Sequence, residues 1–423
     1  MTALELDLSA LFLAAVIVIW FMIAYQFVLT GFGYLNFIRS LKEKARLEVT
    51  AFEYPGCTVL IPAHNEERVI ARTLEAVCAL EYPAGKLTIM VIDDGSTDAT
   101  GEIVRGFASR DERVRHYRIP PEEGGRGKSR ALNLALRLVE TELVAVYDAD
   151  NTPDPAALRH LVAQMLAFPE LGSALGKFRT RNKNATLLTR FINIETLSFQ
   201  SILQAGRWQM HNIATLPGTN FAVWTGILRE LNGWDENALT EDSELTIRLY
   251  QRGYKVKFVP YAVTYEQEPQ QWAVWVRQRM RWVRGNSYVL GKFLREIPRF
   301  KSKRLAVDIL YTLALYYIFF FAILISHGIF LASATGLIAI PLPGPYVYVW
   351  VMGFVLFVAE IFLAISYDRE DTPRNFGLIL VMYFTYCQLW LYVVLKAWYT
   401  EYVKKGERVW DKTARTEMYA EGK

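Results

Sequence analysis

The sequence predicts an α/β domain set between membrane-spanning helices. Long charge-free apolar runs occupy the two ends of the 423-residue chain. The middle alternates short β-branched runs with helical patterns, and acidic clusters follow those short runs directly.

The N-terminal element comes first. No charged residue occurs from Leu8 to Ile38, a longer run than the ~20 residues that cross a bilayer. A cleavable signal peptide would begin with basic residues and carry a short apolar core, whereas Glu5 and Asp7 precede a long one. The segment therefore reads as a retained transmembrane helix. Arg39, Lys42, Lys44 and Arg46 follow it, and the positive-inside rule then places the N-terminus outside and the middle of the chain in the cytoplasm.

In the middle, Cys57–Ile61 and Leu87–Ile92 are short apolar runs rich in β-branched residues, with Pro or Gly near their ends, as buried parallel strands should be, and Leu143–Tyr147 is a third. Helical patterns lie at roughly 67–80, 98–109 and 129–140. Such alternation predicts a parallel sheet with helices on both faces, whose ligand site gathers at the carboxyl ends of the strands. Residues 270–304 carry ten Lys/Arg against the single acid Glu296, which leaves the rest of the chain at −5 within a net charge of +4. No nucleic-acid surface is indicated. A basic segment leading into an apolar run suits anionic lipid headgroups instead.

From Ile309 to Ala359 no charge appears, and Pro341, Pro343, Gly344 and Pro345 divide the run into spans near 307–335 and 346–366. A third span is expected from Phe376 to Leu395. Four spans in all leave the C-terminus outside, while Lys404, Lys405, Arg408, Lys412 and Arg415 in the tail, partly offset by Glu407, Asp411, Glu417 and Glu421, argue for the inside. Glu360, inside a span, is expected to snorkel to the interface from near a helix end. Cys57, Cys78 and Cys387 have no metal or redox spacing and read as buried thiols of a reducing compartment. The chain thus divides into an N-terminal transmembrane helix (1–38), a cytoplasmic α/β domain (39–268), basic amphipathic interface helices (269–304), three transmembrane helices (305–402) and a tail (403–423).

Chemistry-bearing residues fall where the strand-end rule puts them. Pro62-Ala63-His64-Asn65-Glu66 follows the first strand, Asp93-Asp94-Gly95-Ser96-Thr97-Asp98 ends the second, and Asp148-Ala149-Asp150 ends the third. Taken alone, Asp-Gly-Ser-Thr-Asp is an ordinary turn with a helix cap, and an Asp-Ala-Asp tripeptide is common. Together, three acidic clusters at adjacent strand ends repel one another unless a cation or a donor-rich ligand joins them. Asp148 and Asp150 suit Mg²⁺ or Mn²⁺, which takes one or two carboxylates plus diphosphate oxygens. Gly124-Gly125-Arg126-Gly127-Lys128-Ser129 precedes a helix and can meet phosphate; a glycine-rich surface loop is an equally good reading, and the loop lacks the spacing of an NTPase motif. Thr240-Glu241-Asp242 opens a helix, which is ordinary capping chemistry, or supplies a general base from one of its two acids. Gln278-Arg279-Met280-Arg281-Trp282, with Trp272 and Trp275 nearby, reads as an interfacial helix, or as an amide, a fixed cation and a stacking plane for a sugar.

This ordered set, over about residues 57–300 with its membrane flanks, resembles the processive family-2 glycosyltransferases of GT-A fold, which include cellulose, hyaluronan, chitin and poly-N-acetylglucosamine synthases. The resemblance implies a UDP-sugar donor, a growing glycan or a lipid as acceptor, a lipid bilayer around the spans, and room for an accessory membrane subunit. It implies that Ala63, Glu66, Asp93 and Asp94 hold uracil and ribose and Lys128 the diphosphate. Asp148 and Asp150 then bind the metal, Asp242 is the base, Gln278 and Arg281 grip the diphosphate, and Trp282 stacks on the acceptor sugar. Gly218-Thr219-Asn220 matches the acceptor-side loop. The sequence departs from bacterial cellulose synthases in the short tail after the last span, so no appended cyclic-dinucleotide receptor domain is expected. Non-processive glycolipid synthases share many of these residues and form the alternative. An inactive carrier or receptor is disfavoured by the retention of Asp148, Asp150, Asp242 and Arg281.

Overall fold

The computed structural model describes residues 3–300, 302–338, 346–404 and 406. The proline-rich break at 341–345 and most of the charged tail that bears on the side of the C-terminus lie outside the described residues.

The first helix, α1 (Ala3–Glu48), continues ten residues beyond the apolar run, so that its basic end reaches the α/β domain. There Glu43 accepts from Lys257 at 2.6 Å. The domain is built on eight strands: β1 (Cys57–Ala63), β2 (Leu87–Asp94), β3 (Val114–Ile119), β4 (Leu143–Val146), β5 (Thr152–Pro153), β6 (Leu171–Thr180), β7 (Phe221–Trp224) and β8 (Lys255–Glu266). Their order in one sheet is β3-β2-β1-β4-β7-β6-β8-β5. The β3-β2-β1-β4 half is parallel, while β7 runs antiparallel to both β4 and β6. Cys57, Val59, Leu60 and Ile61 of β1 are fully buried, because helices cover both faces, as parallel strands require. Those helices are α2 (Ile70–Cys78), α3 (Thr100–Ala108), α4 (Lys128–Leu136) and α5 (Ala157–Ala167). The register of β8 on β6 shifts between Gly176 and Lys177, opposite Pro260, where a strand proline belongs because it has no N–H to give the ladder.

Beyond β6, α6 (Leu187–Ser198) runs through a π-turn into α7 (Ala205–His211) and lies against α1. After α8 (Thr225–Glu230) and α9 (Glu241–Gln251) comes α10 (Trp272–Leu294), the basic helix. Then follow α11 (Lys303–Leu313), α12 (Phe320–Ala334), α13 (Tyr346–Ser366), α14 (Pro373–Phe384) and α15 (Tyr386–Trp398). Leu6–Glu48 and Lys303–Ser333 are long and apolar enough to cross a membrane. The expected last span is corrected: α14 and α15 meet at Thr385 with a bend of 40°, and only as one broken unit do they make a third candidate. Glu360 is corrected too. It lies two turns before the end of α13 and is 4% exposed, turned into the helix cluster instead of out to the interface. The loop after α13 is tied to the α/β domain by Asp368 with Lys177 and by Glu370 with Lys183, so the domain is braced against the apolar helices by charge pairs from β6 and its following turn.

Candidate active site

The carboxyl ends of β1, β2 and β4 open onto one cavity of about 800 Å³. The loops after β1 and β2 are cross-tied: Asn65 N–H donates to Ser96 Oγ at 2.9 Å, Asn65 Oδ1 accepts from Thr97 N–H at 2.8 Å, and Glu66 N–H donates to Thr100 Oγ1 at 2.7 Å. Asn65 holds a left-handed φ of 54°, which asparagine tolerates better than most residues. The tie leaves Ala63, Glu66 and Asp94 lining the cavity. Asp93 turns the other way. It is fully buried and accepts from Ser96 N–H at 2.9 Å with His116 at 3.3 Å. Burial raises its carboxyl, but His116 and Ser96 outweigh that and hold it below the ordinary range. Of the pair expected at the nucleotide, Asp94 lines the cavity, while Asp93 braces the turn after β2.

The glycine loop is a built feature of the site. A side chain at Gly124 would strike Gly95 and the Asp94 carbonyl, so only glycine lets the loop close on the β2 end. Gly125 and Gly127 adopt φ of 71° and 110°, and α4 starts with Lys128 aimed inward. Lys128 Nζ donates to Asp148 Oδ1 at 2.5 Å and to the Gly218 carbonyl at 2.6 Å, with Glu241 Oε1 3.7 Å away. Burial opposes its charge, yet the Asp148 and Glu241 carboxylates win and hold the ammonium above its ordinary range. A cation thus offsets part of the charge of the acidic cluster.

Asp148 is half-exposed beside Lys128, and Asp150 is buried, its Oδ2 accepting from Gln267 N–H at 3.3 Å. Both line the cavity. Among the described residues no group of three or more His, Cys, Asp or Glu is placed to hold a metal ion. Two hard carboxylates, one of them held against an ammonium, fit a divalent ion that brings most of its ligands as diphosphate oxygens and water, and do not form a complete cage.

Asp242, in the first turn of α9, converges on the same point. A Cβ at Gly218 would come 3.2 Å from Asp242 Oδ2 and 3.5 Å from Lys128 Nζ. Burial first, and the neighbouring Glu241 second, push its carboxyl up to about 7. A helix N-terminus favours an ionised acid; here desolvation and the adjacent carboxylate outweigh it. Of the loop Gly218-Thr219-Asn220, Gly218 and Thr219 line the cavity. Thr219 accepts from Asp148 N–H at 3.0 Å and donates to Asn151 at 2.9 Å. Asn220 is corrected from an acceptor contact to a brace: it is fully buried and its amide donates to the carbonyls of Lys177 and Ala262.

The helix α10 brings Gln278, Arg281 and Trp282 to the cavity wall. It comes close because Gly285 packs on Thr240, where a Cβ would lie 2.6 Å from the threonine methyl. Two residues that sequence reasoning passed over organise this wall. Arg279 is 1% exposed; its guanidinium lies 4.0 Å from the centre of the Trp282 ring and donates to Gln278 Oε1 at 2.7 Å and to Glu195 Oε2 at 2.6 Å. Glu195, on α6, also accepts from Tyr386 Oη and Trp390 Nε1 of α15, each at 2.7 Å. Arg279 stood within the quoted motif. Only a contact 84 residues away reveals what it does.

The same cavity continues past Trp282 among the apolar helices, lined by Ile19 and Ile23 of α1, His327 of α12, Glu360 of α13, and Cys387 and Leu391 of α15.

A twisted sheet, mostly parallel in its first half, with acidic strand ends facing a basic loop, is the GT-A arrangement of nucleotide-sugar-dependent transferases. Residues 55–285 match the family described as Glycosyltransferase like family 2, and the chain belongs to that family. It is 40% identical over 418 residues to the probable glycosyltransferase YdaM of Bacillus subtilis (strain 168), covering 98% of this chain and all of that one. Over 275 residues it is 30% identical to a poly-β-1,6-N-acetyl-D-glucosamine synthase of Staphylococcus epidermidis, covering 65% of this chain and 63% of the synthase. Among solved structures, a mannosyltransferase of Pyrobaculum calidifontis in complex with GDP-Man and Mn²⁺ shares the fold, with a TM-score of 0.56 and 22% identity over 85% of this chain and 98% of that one.

Proposed function

We propose that this glycosyltransferase is an inverting, metal-dependent hexosyltransferase that extends a β-linked glycan from a UDP-sugar on the cytoplasmic side of the membrane. The observation that carries this reading is the single cavity that joins the acidic strand ends to the space among the apolar helices. A sugar added at the strand ends would lead directly into that space. Its membrane part offers Tyr311, Tyr383 and Trp390 as flat faces and Gln26, Gln388 and His327 as polar contacts, which suits a hydroxylated chain better than acyl tails.

In this reading Ala63, Glu66 and Asp94 receive the nucleoside, and Lys128, Gln278 and Arg281 receive the diphosphate. Asp148 and Asp150 would hold Mg²⁺ or Mn²⁺, which neutralises charge on the departing diphosphate when bound. The terminal sugar of the acceptor stacks on Trp282, whose plane Arg279 fixes from behind. Its hydroxyl oxygen bonds to the anomeric carbon while the carbon–diphosphate bond breaks and the electron pair leaves with UDP. The hydroxyl proton passes to Asp242, and attack opposite the leaving group inverts the anomeric centre. The raised carboxyl of Asp242 places it where a base best combines availability with proton affinity.

The test is product length. Incubation with a panel of UDP-sugars and GDP-mannose, followed by gel filtration, is expected to yield a polymer from one UDP-sugar. A single sugar on a lipid would establish the glycolipid alternative and overturn this reading. The metal assignment has its own check. Asp150→Ala should raise the Mn²⁺ or Mg²⁺ concentration for half-maximal turnover on the order of tenfold or more. Full wild-type turnover in excess chelator would refute it.

A further inference from the structure

The intramembrane carboxyl has no place in the chemistry above. On α13, Gly353, Phe357 and Glu360 follow one another at spacings of four and three and all line the cavity, so one face of the helix is turned to it. Glu360 is 4% exposed, and its Oε1 is buried without a hydrogen-bond partner among the described residues. A second polar side chain in that region, His327, directs Nδ1 to the Ile323 carbonyl of its own helix at 2.8 Å. A buried carboxyl oxygen without a donor is destabilising, and a fold that needed only to pack this position would do better with leucine. The missing donor must come from what enters the cavity. The ring faces of Tyr383 and Trp390 belong to the same wall, and an oxygen acceptor beside aromatic planes is the pairing that a sugar ring satisfies, with hydroxyls at its edge and C–H groups on its face.

We propose that Glu360 binds hydroxyl groups of the acceptor glycan inside the membrane part of the cavity, a contact that holds the chain between additions. The inference rests on the polymer reading of the site and adds to it a second point of hold, remote from Trp282.

A structural role and a ligand role predict opposite stability effects. In the full chain in detergent, Glu360→Leu removes the orphaned acceptor, so its thermal midpoint should equal or exceed that of wild type. At the same time the ratio of sugar incorporated into chains to UDP released should fall about three- to tenfold, the loss expected for one hydrogen bond, and the chains should shorten. Glu360→Gln keeps an acceptor oxygen and should stay near wild type. A Glu360→Leu protein that melts earlier and loses incorporation in proportion would make Glu360 a packing residue and overturn the proposal. So would wild-type chain lengths from Glu360→Leu, or equal defects in both variants. A wild-type enzyme that adds only one sugar would overturn the polymer reading itself, independently of how the variants compare.

Discussion

Asp242→Asn is expected to lower turnover by about 10²–10⁴-fold, the contribution typical of a positioned general base, while leaving UDP binding nearly unchanged. A sugar hydroxyl is too weak an acid to ionise unaided at neutral pH, so its proton needs a receiver as the new bond forms. Four acids stand near the reacting point. Asp148 is held by Lys128 at 2.5 Å, and Asp150 faces the Gln267 amide. Glu241 is drawn toward the same lysine at 3.7 Å. Asp242 accepts from the adjacent Ser243 N–H at 2.8 Å, and it borders Gly218 in the cavity wall. Asparagine keeps this shape and cannot take the proton. Donor affinity measured by calorimetry and turnover measured by UDP release separate the two effects. If Asp242→Asn turns over normally and Glu241→Gln does not, the base is Glu241.

The same residue fixes the pH dependence. Its carboxyl is raised to about 7 by burial and by Glu241, and only the ionised form accepts a proton. Turnover should therefore fall as pH drops through about 7 and level off above it. That acid limb should vanish in the residual activity of Asp242→Asn. A wild-type rate that is flat down to pH 5 would contradict the assignment, since a base with this environment would be protonated there.

The parts of the fold that were legible in the sequence are those where burial is uniform. Cys57–Ile61, Leu87–Ile92 and Leu143–Tyr147 stood out because helices cover both faces and no charge is tolerated. The strand Val114–Ile119 was not recognised: it is an edge strand whose Arg115 and Arg118 face solvent, and edges carry charge for good reason. The break at Thr385 was also hidden, since the run Tyr383-Phe384-Thr385-Tyr386 holds neither proline nor glycine. The strand-end acids were found by position, but position does not say which way a side chain turns. Asp93 and Asp94 are neighbours on a strand and point to opposite faces, so only one of them lines the cavity. Asn220 was likewise beyond reach, because its two carbonyl partners belong to strands that were not identified.

The ion pair of buried Arg279 with partly buried Glu195 yields the second large effect. Arg279→Met should destabilise the protein by up to about 3–5 kcal/mol, the range for removing one member of a fully buried ion pair, with the 22% exposure of the Glu195 side chain drawing the loss below that ceiling. Glu195 would keep Tyr386 and Trp390 as donors but would lose the guanidinium 2.6 Å away. Burial opposes the Arg279 charge, and the Glu195 carboxylate is the first of the groups that overcome it and hold the guanidinium well above its ordinary range, so the pair is mutually dependent. Combining Arg279→Met with Glu195→Gln should then recover part of the stability, because the amide oxygen can accept from Trp390 Nε1 while the amide nitrogen donates to Tyr386 Oη, with no unpaired charge left. Thermal midpoints of the two single variants and the double variant form the cycle, and additive losses would show that the pair is not coupled. Function gives an independent reading. Without the guanidinium 4.0 Å from its ring, Trp282 loses its backing, and Gln278 loses the donor that fixes its amide. The double variant, though restored in stability, should therefore still release more UDP per sugar incorporated than wild type. Full recovery of that ratio along with stability would reduce Arg279 to a structural cation and leave Trp282 positioned by packing alone.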